Sequence, residues 1–465
     1  MSQHASGSNI AKAVPAENRK READGAKASG SDDARNAKQA KIGTSHTTGL
    51  HLNEDCWKVV MDYLDVKDQL ELASSNVFMG EMFKRYASHR YKHMNESLTI
   101  RIGDTPYLQK LLQIVGENLV TYEQPLTFDQ IIFHLEDHCR NVKNLKMGFD
   151  LNSIEWPHLL SFKKIKSLDT EIWSDHALQE DRDKLYTEFV NILKHLPCLK
   201  KLKLKAVEYN GGGLHYLEQL ESLELDVHED FDGKNLEYCC QTIKQLRHLD
   251  IAHTRNLTKN NFEILVTNWQ QLERLAFSVQ CFDSTMPYEL VCQLPRLQHL
   301  QVVHDGSVRD SLIEGLINKK GSPLESLILG PDNLSVDQVK RLCNISTLKE
   351  LEVACDTVPL ADLLKLKNLL YLHISMPITN DHVLDLLKGL PLLKVLNIQV
   401  YDMINKDNLV DSVRTWVSEQ KEQRGKIQIY FEFYMRDILY ANHLVEIKID
   451  CLDPILINKE LSERV

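Results

Sequence analysis

Apolar positions along the chain change their spacing in stages. Up to residue 49 there is almost no large apolar side chain and no periodicity. From Leu50 the spacing becomes helical: Trp57, Val60, Met61 and Leu64 stand at i, i+3, i+4 and i+7 and share one helix face. Asn53 is placed to cap that helix, with Glu54 and Asp55 in a first turn that favours acids. The spacing predicts a second short helix holding Asp68, Leu70 and Leu72, and a third carrying Phe78, Met79, Met82, Phe83 and Tyr86. Such a unit buries too little surface to be secure alone, so it should lean on the rest of the chain, on a partner, or on both. Leu98, Ile100 and Ile102 then alternate as a strand would.

Farther along, one short pattern recurs: aliphatic, two variable positions, aliphatic, one variable position, aliphatic. Val142, Leu145 and Met147 form the first clear copy, and Ile165, Leu168 and Thr170 a weaker one. Later copies begin at Leu199, Leu220, Leu246, Leu272, Leu297, Leu324, Leu348, Leu369 and Leu393. Successive first anchors are 23, 34, 21, 26, 26, 25, 27, 24, 21 and 24 residues apart. A strand motif of this form at a period of about 20–29 residues marks a leucine-rich repeat. An ordinary α/β domain with Leu-rich helices would not hold one period so long. The step of 34 fits a loop insertion around Trp173 to Arg182.

The spacing has a physical meaning. The second and third anchors are two apart on a strand, so both point to one face and build a shared core. Residues beside them line the other, open face. Each copy returns through a helix, with Thr258, Ser307, Ser335 and Thr379 at the expected N-caps of Asn261–Trp269, Asp310–Ile317, Asp337–Leu342 and Asp381–Leu387. One repeat cannot bury its own apolar face, so stability comes from stacking. Near the end, Lys406–Gln423 reads as a longer helix, and Ile427, Ile429, Phe431 and Phe433 alternate as a strand. Leu444, Ile447 and Ile449 repeat the anchor spacing once more, as a terminal cap would need. The fold class is α/β, a solenoid preceded by a small three-helix unit. The divisions are an unstructured tail at 1–49, the helical unit at 50–92, the solenoid at 93–400 and a cap at 401–465.

Composition narrows the function. The chain has 465 residues, 43 % hydrophobic and 26 % charged, with ample material for a core. Net charge is −11, but residues 1–49 carry eight Lys/Arg against five Asp/Glu, leaving the body near −14. An acidic body repels a phosphate backbone, so no nucleic-acid partner is expected. No long apolar run suits a membrane, and the polar start does not read as a secretory signal. Arg19, Lys20 and Arg21 form a basic cluster read as solvated charge. The ten cysteines include no CxxC pair and read as small core residues. His134, His138 and Cys139 could share a metal on one helix, but no second ligand cluster is spaced to complete the set. Gly211, Gly212 and Gly213 read as a turn, since no Lys-Ser/Thr follows as in a phosphate loop. No cofactor, metal or catalytic residue is expected.

Two resemblances follow from these residues. Leu246-Arg-His-Leu249-Asp-Ile251, with Asn256-Leu257-Thr258 after it, and Pro377-Ile378-Thr379-Asn380-Asp381 resemble the cysteine-containing type of leucine-rich repeat, though Cys281 and Cys355 stand only near its usual cysteine place. The segment Leu52 to Phe83 resembles an F-box through Leu52, Trp57, Val60, Tyr63-Leu64-Asp65, Asp68, Leu70 and Leu72-Ala73. Asn53 stands where that family usually has Pro, and Ser75-Asn76-Val77-Phe78 replaces its usual ending. An F-box directly before such an array is the layout of F-box/leucine-rich-repeat proteins. The resemblance implies a substrate receptor of an SCF-type ubiquitin ligase, in the cytoplasm, the nucleus or both. Its helices would bind a Skp-type adaptor and, through it, cullin and RING subunits, and its solenoid would present a protein substrate for degradation.

The adaptor-binding candidates are Leu52, Trp57, Val60, Leu64, Leu70 and Leu72, which also suit a small helical core. The candidates for the substrate face are the strand positions beside the anchors. Lys201, Lys203 and Lys205 form one rung, and Ser222, Glu224 and Asp226 the next. His248, Asp250, Arg274, His299, Gln301, Glu350, Glu352, Tyr371, His373 and Asn397 continue it. Two readings fit these rungs: basic and acidic residues satisfy each other across the sheet, or they form a mixed-charge groove for a partner. The remaining alternatives are a plain protein-binding scaffold whose helices only cap the array, and a regulator of a small GTPase or nuclease.

Overall fold

The computed structural model describes residues 53–449 except 104, 125–130, 154, 175–178, 228–230, 253–256, 280–285, 305, 400–403, 420–425, 432–436 and 442–444. The tail at 1–49, Leu52, Asn256, Cys281, Phe433 and Leu444 lie outside the described residues. Everything from Glu54 onward belongs to one compact unit.

Helices α1 (Glu54–Tyr63), α2 (Val66–Ser75) and α3 (Val77–Arg90) occupy the stretches that helical spacing predicts. Asp65 caps α2 by accepting from the Asp68 N–H, and Asn76 caps α3 by accepting from the Met79 N–H. Met61, Leu70, Phe83 and Tyr86 are buried among them. Buried Gln69 ties the unit together: its amide donates to the Met61 carbonyl at 2.7 Å, and it accepts from the Tyr91 hydroxyl at 2.6 Å. Next come α4 (Glu96–Ile102) and α5 (Thr105–Val115). The unit leans on α5, where the Tyr107 hydroxyl donates to Glu71 at 2.8 Å and the Lys110 ammonium to Ser74.

Helix α4 corrects an expectation, since it replaces the strand read from Leu98, Ile100 and Ile102. Asn95 accepts from the Leu98 N–H at 3.0 Å and caps the helix. Leu98 and Ile102 lie four apart and are buried, while Ile100 between them is 55 % exposed. The pair at i and i+4 fits a helix face as well as a strand face, and here the cap selects the helix.

One sheet runs the length of the unit. Its strands are β1 (His93–Met94), β2 (Thr121–Glu123), β3 (Asn144–Asp150), β4 (Ser167–Trp173), β5 (Lys201–Ala206), β6 (Ser222–Asp226), β7 (His248–Ile251) and β8 (Arg274–Val279). They continue as β9 (His299–His304), β10 (Ser326–Leu334), β11 (Glu350–Cys355), β12 (Tyr371–Ser375), β13 (Val395–Ile398), β14 (Ile427–Phe431), β15 (Asp437–Ala441) and β16 (Val445–Ile449). Each pairs in parallel with the next in sequence through β14, which pairs with β16. β15 then closes antiparallel on β16. Nearest-neighbour parallel stacking of this kind, with helices behind, is the leucine-rich-repeat solenoid.

The second anchors stand in register, from Leu145 through Leu168, Leu202 and Leu223 to Leu372 and Leu396, and all are buried. Thr170 occupies a third-anchor place in β4, and its hydroxyl is buried without a hydrogen-bond partner among the described residues. The array also starts earlier than the Leu pattern suggests. Leu119, Tyr122 and Gln124 are a buried copy 23 residues ahead of Val142, and Tyr122 pairs with both Met94 and Leu145.

Thr258, Ser335 and Thr379 are N-caps, each completing a capping box with Asn261, Gln338 or His382. Ser307 is not a cap, because its helix starts at Asp310 with Arg309 in the capping place. The 34-residue step is partly helix, Gln179–Leu193, rather than loop alone. Of the helix expected over Lys406–Gln423, Lys406–Glu419 is helical, and residues 420–423 lie outside the described residues. Gly211 and Gly213 both adopt the left-handed region, so the glycine run is a turn. A Cβ on Gly211 would stand 2.5 Å from the Phe231 ring. Cys139, Cys239, Cys240, Cys292, Cys343 and Cys355 are buried, whereas Cys56 is exposed.

Candidate protein-recognition face

The open face of the sheet carries two ladders of side chains, one on each side of the second anchors. Residues facing each other on neighbouring strands are about 4.8 Å apart, so each ladder is a continuous row. One row reads Lys146, Asp169, Lys203, Glu224, Asp250, Ala276, Gln301, Ile328, Glu352, His373 and Asn397. The other reads Lys201, Ser222, His248, Arg274, His299, Ser326, Glu350 and Tyr371. Between about β3 and β10 the two rows and their neighbours line a trough of about 730 Å³.

From Lys146 to Glu224 charges alternate in the first row, and the lysines at this end of the sheet meet acids. Lys203 bonds Glu224, Lys205 meets Glu171 at 3.2 Å, and Lys146 meets Glu96 at 2.7 Å. Burial pushes the Glu224 carboxyl up, against the pull of Lys203, and pushes Asp169 up between Lys203 and Lys146. Burial also opposes the Lys203 charge, but its bond to Glu224 together with the charges of Glu224, Asp169 and Asp250 holds it above the ordinary range. The rungs at Lys203 and Lys205 therefore satisfy neighbouring acids.

Lys201 is exposed, and Lys203, Lys205, Glu224, Asp226, His248, Asp250, Arg274, His299, Gln301 and Glu352 are half-buried. Four expected face residues are not accessible. Glu350, Tyr371, His373 and Asn397 lie on the face by register, yet they are 3 %, 8 %, 7 % and 2 % exposed. Broad side chains one strand spacing apart shield one another: Tyr371 stands between Glu350 and Val395, and Asn397 between His373 and Tyr430. His373 Nδ1 lies 3.2 Å from Glu352 Oε2. At that end of the sheet these side chains are largely enclosed by their neighbours.

The helical unit needs a similar correction. Leu70 is fully enclosed and Trp57 is 8 % exposed, so both serve the unit's own packing. Val60, Leu64 and Leu72 are half-buried. The large apolar residues left in solvent are others: Val59 is 55 % exposed, Tyr63 87 %, Val77 85 % and Phe78 56 %. Val59 and Tyr63 are four apart on α1, off the face of Trp57 and Met61. Phe78 stands edge-on to Trp57, with ring centroids 6.4 Å apart.

Cys139 turns inward, donates to the Leu112 carbonyl at 3.5 Å, and burial pushes its thiol up to about 12. Among the described residues no group of three or more His, Cys, Asp and Glu is arranged to hold a metal. No described helix is long and apolar enough to cross a membrane.

No family model and no curated protein matches the chain. Solved structures do match. The chain is similar to a structure of the Rad7 and Elc1 complex in yeast, with 14 % identity, 76 % of this chain and 94 % of that one covered, and a TM-score of 0.46. It is also similar to an internalin from Listeria monocytogenes, with 17 % identity, 68 % and 90 % covered, and a TM-score of 0.36. A third is the leucine-rich-repeat ectodomain of a receptor kinase from Arabidopsis thaliana, with 14 % identity, 64 % and 36 % covered, and a TM-score of 0.32. Similarities of that size transfer neither partner nor activity to this chain.

Proposed function

We propose that this chain is the substrate-recognition subunit of an SCF-type ubiquitin ligase. In this reading α1–α3 dock a Skp-type adaptor, which brings cullin and RING subunits, and the open sheet face holds a protein substrate. The observation that carries it is the exposed apolar set Val59, Tyr63, Val77 and Phe78. Large apolar side chains in solvent on a unit whose core is already filled are what a docking surface supplies. The F-box resemblance of the same segment points to the occupant. A stable docking of this kind would bury on the order of 1,600 Å² in total, dominated by a few anchors.

The chain contributes no catalytic group in this reading. Its part is tethering, which raises the local concentration of substrate lysines beside a charged ubiquitin thioester. The hydrogen bonds from Tyr107 to Glu71 and from Lys110 to Ser74 support it, because they hold the helices to the array. Affinity purification of the intact chain followed by mass spectrometry tests the class. Adaptor and cullin should elute together with the chain. Their absence, with other partners present, would favour the second reading, a leucine-rich scaffold whose helices merely cover the first strands. The packing of α2 and α3 on α5 is the observation that favours that alternative.

A further inference from the structure

The helix side of the solenoid, opposite the open face, carries an aromatic set that neither the core nor the adaptor reading uses. Tyr216 ends the single helical turn Leu214–Tyr216 and is 43 % exposed. Tyr238 lies on the helix Gly233–Thr242 of the next repeat and is 51 % exposed. Half-buried His215 stands between them. Its ring centroid is 4.0 Å from that of Tyr216 and 5.7 Å from that of Tyr238, with the planes inclined by 45° and 55°. Two tyrosine walls thus flank an imidazole floor, and the inclined rings make a notch rather than a flat stack. Neither tyrosine hydroxyl makes a hydrogen bond among the described residues. Just past the helix Gln179–Leu193, the Lys194 ammonium reaches over the Tyr216 ring, 4.8 Å from its centroid. It has no carboxylate partner among the described residues.

We propose that this notch is a docking site for a proline-rich segment of another protein, with an acidic residue beside the prolines. An extended run of prolines presents ring faces to aromatic walls and bare carbonyls to donors, and it has no N–H to satisfy. That suits a notch whose free polar groups are two tyrosine hydroxyls. The spacing agrees: the two ring steps together reach no farther than one turn of polyproline II, about 9 Å. Such a segment is ordered before it binds, so a small site can hold it. A cationic guest, the other common occupant of an aromatic cluster, is disfavoured because Lys194 already holds the Tyr216 ring. The same ammonium favours an acid at the neighbouring position of the ligand. The notch is built from helical elements and offers no sheet edge, so an added strand does not fit it. Nor does the chain supply the segment itself: Pro15 is the single proline before Asn53, and Pro454 the single one after Ile449. The notch shares no residue with α1–α3 or the open face and does not rest on the adaptor reading.

The test titrates the full chain into three fluorescent peptides: octaproline led by two glutamates, octaproline led by two lysines, and an alternating glycine–serine peptide led by two glutamates. Fluorescence anisotropy should show saturable binding of the glutamate-led octaproline, roughly tenfold tighter than of either other peptide. A Tyr216→Ala, Tyr238→Ala variant should weaken it by about tenfold or more. Leu392→Ala, which removes an exposed apolar side chain elsewhere, should leave it unchanged. Lys194→Glu should reverse the charge preference, so that the lysine-led octaproline binds more tightly than the glutamate-led one. No saturable binding of the glutamate-led octaproline overturns the proposal, as does equal binding of the glycine–serine peptide. Unchanged binding by a natively melting double variant overturns it too. If the double variant does not fold, Lys194→Glu decides, and an unreversed charge preference overturns the proposal. Adaptor binding is scored separately and should be the same in both variants, so failure at the notch leaves the adaptor reading standing.

Discussion

Lys203 and Lys201 stand two residues apart on β5, yet only Lys203 meets a carboxylate. Removing each should therefore have different consequences. Lys203→Gln leaves Glu224 and Asp169 half-buried without their shared counter-charge, and should cost about 1 kcal/mol in urea denaturation at low salt, less at high salt. Lys201→Gln should leave stability unchanged. Equal losses would contradict the pairing. The two imidazoles give a pH prediction with a definite sign. With folded pKa values of about 4 and about 3, His248 and His299 refuse the proton that an unfolded chain takes up below pH of about 6.5. Their contribution is complete above that pH and is lost as pH falls toward 4. Asp169, Glu224 and Glu350, raised chiefly by burial, act in the opposite sense on acidification. A His248→Gln, His299→Gln variant keeps those carboxylates, so its stability should fall less between pH 7 and pH 4 than that of the wild type. Parallel curves would contradict the shifts.

At the scale of elements, stability is local and repeated. Leu300 is 1 % exposed at a second-anchor position, and Leu300→Ala should cost about 2–5 kcal/mol, the range for a cavity in a packed core. Thr379→Ala removes a capping-box hydroxyl and should cost about 1 kcal/mol. In an array of nearest-neighbour contacts, hydrogen exchange should quicken mainly in the repeats on either side of the change. Protection lost evenly from β3 to β14 would speak against that. The repeats were legible in the chain because the anchors of β3 to β13 keep their spacing and must point inward. The copy at Leu119, Tyr122 and Gln124 was hidden because Tyr and Gln fill places that elsewhere hold Leu. Side-chain direction was also legible, since alternation along a strand decides it. Accessibility was not: Tyr371, His373 and Asn397 point to the open face and are covered by their neighbours on adjacent strands. In the helices, spacing marked Leu70 and Phe78 alike as helix positions. Only packing separates Leu70, which fills the core, from Phe78, which stands in solvent.

At the scale of the whole molecule, an acidic solenoid holds a small helical unit through α5, and exposed apolar residues stand on that unit. The central claim is that these residues, and not the enclosed Leu70, dock a Skp-type adaptor. Isothermal titration of the purified full chain with purified adaptor tests it most directly, comparing the wild type with a Tyr63→Asp, Phe78→Asp variant of unchanged melting temperature. The account predicts saturable binding by the wild type and at least about a hundredfold weaker binding by the variant, since anchors of this kind carry about 2 kcal/mol or more. No binding by the folded wild type, or equal binding by both proteins, would contradict it.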